Sequence, residues 1–438
     1  MKPLVLVTAP VETRSGYGNH ARDICRALIE SDKYDVKIQS VPWGSTPLNA
    51  LEQNNPTHIE IEKRILRTPS LPKQPDLHLH IVIPNEFQPI AKKNIGITAG
   101  IETTIPPANW VEGCNRMDKV IFTSEFSKKG FTDVTYDKFD TKTQQNIGTL
   151  KFEKDSEVLF EGVDTNIYKE TKVISEELNK KFSMIEEDFC FLFVGHWLQG
   201  NLGEDRKDIG MMLKVFYSIF KDKENSPALI LKTSGAGFSI IDRNDIMKKI
   251  NNIKKSFPGA NLPNVYLLHG DLTDEEMNEL YNHPKVKAHL TFTHGEGFGR
   301  PLLEASLSGK PVIAPISTGQ ADFLNSDYVV ELPHTMTNVS TNAFPKDYTT
   351  PESMWSTVNY NLAGRIINDV FNNYDKYKVR GKKASLINSQ TFNHEEMKLK
   401  LEKIVDDILS DVPQQVQLKL PSLNKEPTKL KLPKLKKD

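Results

Sequence analysis

Residues 288–323, AHLTFTHGEGFGRPLLEASLSGKPVIAPISTGQADF, decide how the rest of the chain is read. Residues 288–292 are a β-rich apolar run that breaks at Gly295, Gly297 and Gly299, where the backbone can turn tightly and let a ligand approach. Pro301 stands where a helix favours its first residue, and Leu302, Leu303 and Leu307 give that helix an inward face. Gly309 and Pro311 stop it, and Val312, Ile313 and Ala314 resume a strand. A helix opening on a glycine turn at a strand's carboxyl end offers free N–H groups and a positive dipole end, so phosphate is the expected guest. Glu296 lies in the turn and Glu304 about one turn inside the helix. With phosphate seated, Glu296 would face whatever hangs from it, and Glu304 would accept from a ribose hydroxyl on the other side.

The ordered block EGFGRPLLE, then Gly309-Lys310-Pro311-Val312-Ile313-Ala314 and Ser317-Thr318-Gly319, resembles the donor signature of retaining glycosyltransferases with the GT-B fold, family-four type (glycosyl transferases group 1). The resemblance spans most of residues 1–410. It implies an α/β architecture of two Rossmann-like, doubly wound domains facing across a cleft. It also implies sugar transfer from a nucleotide-sugar co-substrate, with retention at the anomeric carbon and neither metal nor resident cofactor. On that reading Glu296 holds the donor sugar and Glu304 the ribose. The N–H groups near Phe298 and Gly299, beside Gly295 and Gly297, take the pyrophosphate.

Length and composition bound the rest. A chain of 438 residues suits two or three domains. A formal net charge of −1 argues against a globally basic nucleic-acid binder. Cys25, Cys114 and Cys190 are few and far apart, which fits a reducing compartment without a disulfide framework. The opening MKPLVLVTAP reads as a first strand rather than a signal peptide, and no run approaches the roughly 18 apolar residues of a membrane span. The expectation is a soluble, cytoplasmic protein.

In the first half, Leu4–Ala9 is a compact apolar strand, and residues 19–30 form a helix with Ala21, Ile24, Cys25, Ala27 and Leu28 inward. Between them Gly16-Tyr17-Gly18-Asn19-His20-Ala21 formally matches G-x-G-x-x-A. A dinucleotide site needs that turn right against the strand and an acid ending the next one. Here residues 11–15 intervene, and the strand 34–41 ends in Ser40, Val41 and Pro42. The resemblance implies instead a flexible glycine loop, Gly16 and Gly18, near the donor sugar; a plain strand-to-helix turn is the other reading. His78 and His80 share one face of the strand 77–83, but no third ligand has zinc spacing, so they read as structural. Within 96–131, residues 120–123 form a strand and Ser124 caps the helix that follows. A similar Glu…Pro…Trp…Asn…Asp…Ser-x-Phe series occurs in the family, which implies Glu102 and Asn115 on the acceptor side of the cleft, with Ser124 and Phe126 beside it. Glu102 also reads as a plain surface carboxylate. Residues 132–157 look like an inserted or edge hairpin. Glu161-Gly162-Val163-Asp164 resembles the family's interdomain linker, so the first domain is expected over 1–164 and the second over 165–390.

The second half repeats continuously apolar runs at 189–194, 228–232, 265–268, 288–292, 312–314 and 328–332, as buried parallel strands do. Gly195, Gly235, Gly270 and Gly295 follow four of them on the ligand-binding edge. A leaving nucleotide diphosphate needs cations. The family places an arginine just after this domain's first strand and a lysine soon after; here His196 follows Gly195, and the first basic pair is Arg206-Lys207. Lys207, opening a helix over 208–220, is the candidate, with Arg206 as replacement arginine; two solvated bases at a helix start are the other reading. Lys232 and Thr233 are secondary donor-binding candidates, and His269 with Gly270 falls where the family seats the nucleobase. Residues 333–356 read as a polar surface excursion. An amphipathic helix over 393–409, within a closing segment 391–412, is expected to pack back toward the first domain.

Residues 413–438 are low in complexity, repeat LKLP, and carry seven lysines from Leu418 onward against Glu426 and Asp438. Such a segment is a solvated tail, or a tether to nucleic acid or an anionic membrane. The first 165 residues hold 20 Lys+Arg against 22 Asp+Glu, so bulk charge does not favour DNA and only the tail keeps it open as a partner. A glycan, a lipid, a protein and a modified DNA base all remain as acceptors, and the oligomeric state is not legible. The rival activities are a nucleotide-sugar epimerase on the same fold, a glycosidase, and a non-catalytic sugar-nucleotide or DNA-binding module.

Overall fold

The computed structural model describes residues 2–412 apart from Pro69, Ala236, Lys346 and Asp347; the lysine-rich stretch 413–438 lies outside the described residues. The first half runs β1 (Leu4–Ala9), α1 (Gly16–Glu30), β2 (Asp35–Ser40), α2 (Pro56–Glu62), β3 (Leu77–Ile81), β4 (Lys93–Thr98), α3 (Ala108–Asn115), β5 (Lys119–Phe122) and α4 (Glu125–Thr132). The hairpin of β6 (Thr135–Phe139) and β7 (Asn146–Lys151) follows, then β8 (Asp155–Val158). Six strands make one parallel sheet in the order β2-β1-β3-β4-β5-β8.

Two of those strands escape periodicity. In β4, KNIGIT, a glycine interrupts the apolar run because the Phe87 ring lies there; a Cβ on Gly96 would sit 2.4 Å from Phe87 Cε2. In β8, DSEV is polar because it is an edge strand, held by Lys119 Nζ at 2.6 Å from both Asp155 and Glu157. His78 and His80 are buried and structural: His78 Nε2 meets Thr8 Oγ1 at 2.9 Å, and the Gln88 N–H donates to His80 Nδ1.

The second half runs α5 (Glu176–Phe182), β9 (Cys190–Val194), α6 (Ile209–Phe220), β10 (Ala228–Lys232), α7 (Ile240–Lys254), β11 (Val265–Leu268), α8 (Asp274–Asn282), β12 (Val286–Leu290), α9 (Arg300–Ser306), β13 (Val312–Ala314) and β14 (Val330–Glu331). A hairpin, β15 (His334–Asn338) and β16 (Met354–Val358), precedes α10 (Tyr360–Asn372), α11 (Tyr374–Thr391) and α12 (His394–Ser410). The sheet is again parallel, ordered β11-β10-β9-β12-β13-β14. Its order reverses between β9 and β12, which puts the ligand crevice at their carboxyl ends. The apolar run expected at 288–292 pairs two residues earlier, leaving buried Thr291 to His294 to lead into the glycine turn.

Helix α12 and the hairpin segment both tie the second half to the first. α12 returns to the first half by burying Met397, Leu401, Ile404, Val405 and Ile408, and Tyr34 Oη donates to Asp406 at 2.6 Å. Its entry is tied to the linker, the His394 N–H donating to Val163 O at 2.9 Å. The stretch 333–356 is exposed over much of its described length, as expected of a surface excursion, but it is also anchored to the first half. The Thr104 N–H donates to Met354 O at 3.0 Å, the Met354 N–H to Thr104 Oγ1 at 2.9 Å, and Tyr348 meets Trp110 edge-on with ring centroids 5.7 Å apart. It is a strap from the second half onto the first.

Candidate active site

Glu296 is the centre of the crevice. Lys207 Nζ donates to its Oε1 at 2.5 Å, Thr293 Oγ1 to the same oxygen at 2.8 Å, and Arg206 Nη1 to Oε2 at 3.2 Å. Arg206 also donates to Gly295 O at 2.8 Å and lies 3.4 Å from Glu102 of the first half, so Glu102 is not a plain surface carboxylate. Local backbone chemistry fixes this group. Asp208 takes a left-handed conformation (φ 49°) that turns the chain sharply from the cation pair into α6. The His294 N–H donates to Arg206 O at 2.8 Å, stitching the pair to the glycine turn. His294 itself is buried, stacks on Trp355 of the strap (4.1 Å, 9°), and donates from Nδ1 to Ser356 O.

Burial pushes the Glu296 carboxyl up, but Lys207 and then Arg206 outweigh it and hold the carboxyl down at about 2. Burial pushes the Lys207 ammonium down, with Glu296 opposing. For Arg206 burial acts downward too, and Glu102 and Glu296 together carry it above its ordinary value. His196, at the family's arginine position, is no substitute cation: burial and then the neighbouring Lys207, Lys232 and Arg206 push it down, and Nδ1 meets Ser234 Oγ at 3.1 Å.

Glu304 is already engaged. Arg300 Nε donates to Oε1 at 2.9 Å and Tyr281 Oη to Oε2 at 3.3 Å, while Arg300 also pairs with Asp23 of α1. Burial lifts the Glu304 carboxyl to about 7, against Arg300. The i, i+4 spacing of Arg300 and Glu304 is a signal the sequence carries; their link to Asp23 is not.

The expected glycine loop at Gly16 and Gly18 is corrected: both lie in the first turn of α1, because Ser15 caps the helix with its Oγ accepting from the Gly18 N–H. Gly16 faces open space, whereas a Cβ on Gly18 would meet Thr13 O at 2.2 Å. Asn115 is also corrected. It donates to Lys151 O at 2.7 Å and accepts from the Glu153 N–H at 2.9 Å, near the amino-terminal ends of β5 and β8, away from the cleft. Helix α3 runs back against the strands, and so carries Asn115 to the far edge of the sheet. Lys232 Nζ donates to Gly270 O at 2.6 Å, Thr233 is buried with Oγ1 unbonded, and the His269 ring turns onto Asp242 at 2.7 Å.

The glycines of the turn face protein. A Cβ on Gly295 would stand 2.1 Å from Glu102 O, and one on Gly297 2.7 Å from Ala99 O. Gly297 O accepts from Ser124 Oγ at 2.6 Å and from Thr123 and Ser127, each at 3.3 Å. Phe298 is buried against Phe323, and Gly299 (φ 100°) supplies the left-handed step into α9. Among the described residues no group of three or more His, Cys, Asp or Glu is placed to hold a metal ion, and no helix is long and apolar enough to cross a membrane.

The chain matches no protein-family model and no curated protein sequence. Solved structures do match. HepE from Anabaena, in complex with UDP and glucose, aligns over 92% of this chain and 100% of its own with a TM-score of 0.55 at 15% identity. Sucrose-phosphate synthase from Thermosynechococcus elongatus aligns over 94% and 100%, with a TM-score of 0.61 at 12% identity. A glycosyltransferase from Rickettsia africae aligns over 94% and 99%, with a TM-score of 0.61 at 14% identity. The fold is therefore GT-B, with two Rossmann-like domains, as the signature block implied.

Proposed function

We propose that the chain is a retaining glycosyltransferase that moves a sugar from a nucleotide-sugar to an acceptor hydroxyl in the cleft, without a metal. The observation that carries this reading is the convergence of Lys207 and Arg206 on Glu296, opposite Glu102 of the first domain. A diphosphate entering there takes over the two cations and leaves Glu296 to face the donor sugar. Helix α9 has only seven residues, so the buried cations, more than its dipole, must stabilise the charge that grows on the leaving group. The departing phosphate takes the acceptor's proton on the face from which it leaves. Attack on that same face gives retention and requires no protein nucleophile.

HepE with UDP makes uridine donors the first to try. Incubation with UDP-, GDP-, ADP- and CMP-sugars, reading nucleotide release, should pick out one donor, and Glu296→Ala should abolish that release. Lys207→Ala should slow turnover about a hundredfold, about 3 kcal/mol of barrier, as loss of one transition-state donor does. A rate within twofold of wild type would remove Lys207 from the site. Release of an epimer without acceptor would make the enzyme an epimerase instead. For the acceptor we propose a cytoplasmic substrate, with DNA retained through the lysine-rich tail; salt-dependent DNA affinity that survives deletion of 413–438 would exclude that route.

A further inference from the structure

Two buried polar side chains near Arg300, His20 and Glu161, have no hydrogen bond among the described residues. His20 of α1 is 3% exposed, and neither ring nitrogen has a hydrogen bond. Glu161 of the linker is 7% exposed; no hydrogen bond or ion pair reaches it among the described residues, and its carboxyl oxygens keep a narrow opening to solvent. More than about nine in ten buried polar groups in native proteins are satisfied, and an unsatisfied one costs about 1–3 kcal/mol. The two share a neighbourhood: His20 stands one turn from Asp23 on α1, Asp23 pairs with Arg300, and the charges of Asp23 and Arg300 act on Glu161 as well. Two donors of that neighbourhood are already committed elsewhere. Arg300 is held by Asp23 and Glu304, and Tyr17 Oη is bonded to Thr98 Oγ1 at 2.8 Å and to the Ala99 N–H at 3.1 Å. Gly16, one turn before His20, opens onto free space.

We infer that Glu161 and His20 form a subsite for the hydroxyls of a sugar ring of the bound donor, either the ribose or the transferred sugar. The inference rests on the transferase reading and adds to it two residues outside the signature block. Burial lifts the Glu161 carboxyl to about 8 and pushes the His20 ring down to about 4, so both are neutral at pH 7. A neutral carboxyl and a neutral imidazole each supply one donor and at least one acceptor, and a sugar hydroxyl both donates and accepts. Neither gives a phosphate a positive charge or a cation a negative one. Their place beside Glu304 and Arg300, at the start of α9, puts them on the donor rather than the acceptor.

The test is Glu161→Leu in the full chain, with affinity measured calorimetrically for UDP, 2′-deoxy-UDP and UDP-glucose, or for the same set on the base that the wild type prefers. The variant should bind UDP-glucose at least tenfold more weakly while its Tm stays equal or rises, because a carboxyl that no protein group pairs, and that burial disfavours in its charged form, has been removed. If UDP shows the same penalty and 2′-deoxy-UDP does not, the ring is the ribose. If only UDP-glucose shows it, the ring is the transferred sugar. A variant with unchanged affinity for all three ligands overturns the subsite, and so does a fall in Tm without a fall in affinity. If the wild type binds none of these nucleotides, the transferase reading falls and takes the subsite with it. A wild type that binds while the variant matches it overturns the subsite alone. Should Glu161→Leu not fold, His20→Leu reads the same subsite with the same ligands.

Discussion

Arg300 holds two carboxylates from different domains, Asp23 and Glu304, and this changes what a substitution at Glu304 means. Glu304→Ala should weaken nucleotide binding, but it also leaves Arg300 with one partner in a buried setting, and breaking a buried pair costs about 3–5 kcal/mol. Chemical denaturation should show a loss near the lower bound, since Asp23 remains; unchanged stability would mean the ion pair is absent in solution. The carboxyls also set opposite pH dependences. Glu161, raised to about 8, contributes stability that is fully present below about pH 4.5 and is lost as pH rises through 8. Glu296, held at about 2, contributes stability present above about pH 4.5 that is lost as pH falls through 2. Between pH 5.5 and 8.5 the Tm of the wild type should therefore fall more than that of Glu161→Leu; equal falls would show that Glu161 does not titrate in this range. Glu296, Lys207 and Arg206 are legible in sequence because a glycine turn, a helix stop and a basic pair are local signals. His20, Asp23 and Glu161 are not, because they acquire meaning only where α1, the linker and α9 meet.

Elements misread from sequence fail for identifiable reasons. The start of α1 is hidden because Gly16 and Gly18 resemble a loop, and only the Ser15 cap reveals three more helical residues. The strap, β15 and β16, is hidden because a polar, proline-bearing segment normally faces water, whereas this one lays Trp355 on His294 and Tyr348 on Trp110. Burial of Trp355 has a functional consequence through His294, whose N–H holds the carbonyl of Arg206. Trp355→Ala should destabilise the protein by about 3–5 kcal/mol, the range for truncating a buried aromatic. It should also weaken nucleotide binding, because the Arg206–Lys207 pair loses its support. Isothermal titration at a temperature where the variant stays folded separates the two effects: stability lost with affinity intact would leave the strap a packing element only.

At the scale of the whole molecule, the two domains meet through the glycine turn that the sequence marks as a ligand site. Gly295 lies under Glu102 O and Gly297 under Ala99 O, so the missing side chains leave room for the other domain's backbone. A glycine signature reads the same whether a phosphate or a neighbouring carbonyl approaches it, and sequence alone cannot separate the two. A substitution can. Gly295→Ala places a Cβ 2.1 Å from Glu102 O, too close for any contact, so the domains must part while each keeps its own core. Its radius of gyration by small-angle scattering should rise, its far-UV circular dichroism should stay unchanged, and nucleotide release should be lost. Ser124→Ala is the mild counterpart. It removes one of three hydroxyls on Gly297 O, worth about 1 kcal/mol, without a clash, and should shift the radius little and the rate severalfold at most. If Gly295→Ala opens the molecule and release persists, the chemistry belongs to the second domain alone and Glu102 has no part in it. If release disappears with the opening, contact between Glu102 and Arg206 across the cleft is part of the assembled site, and the glycine turn serves both domain closure and the donor.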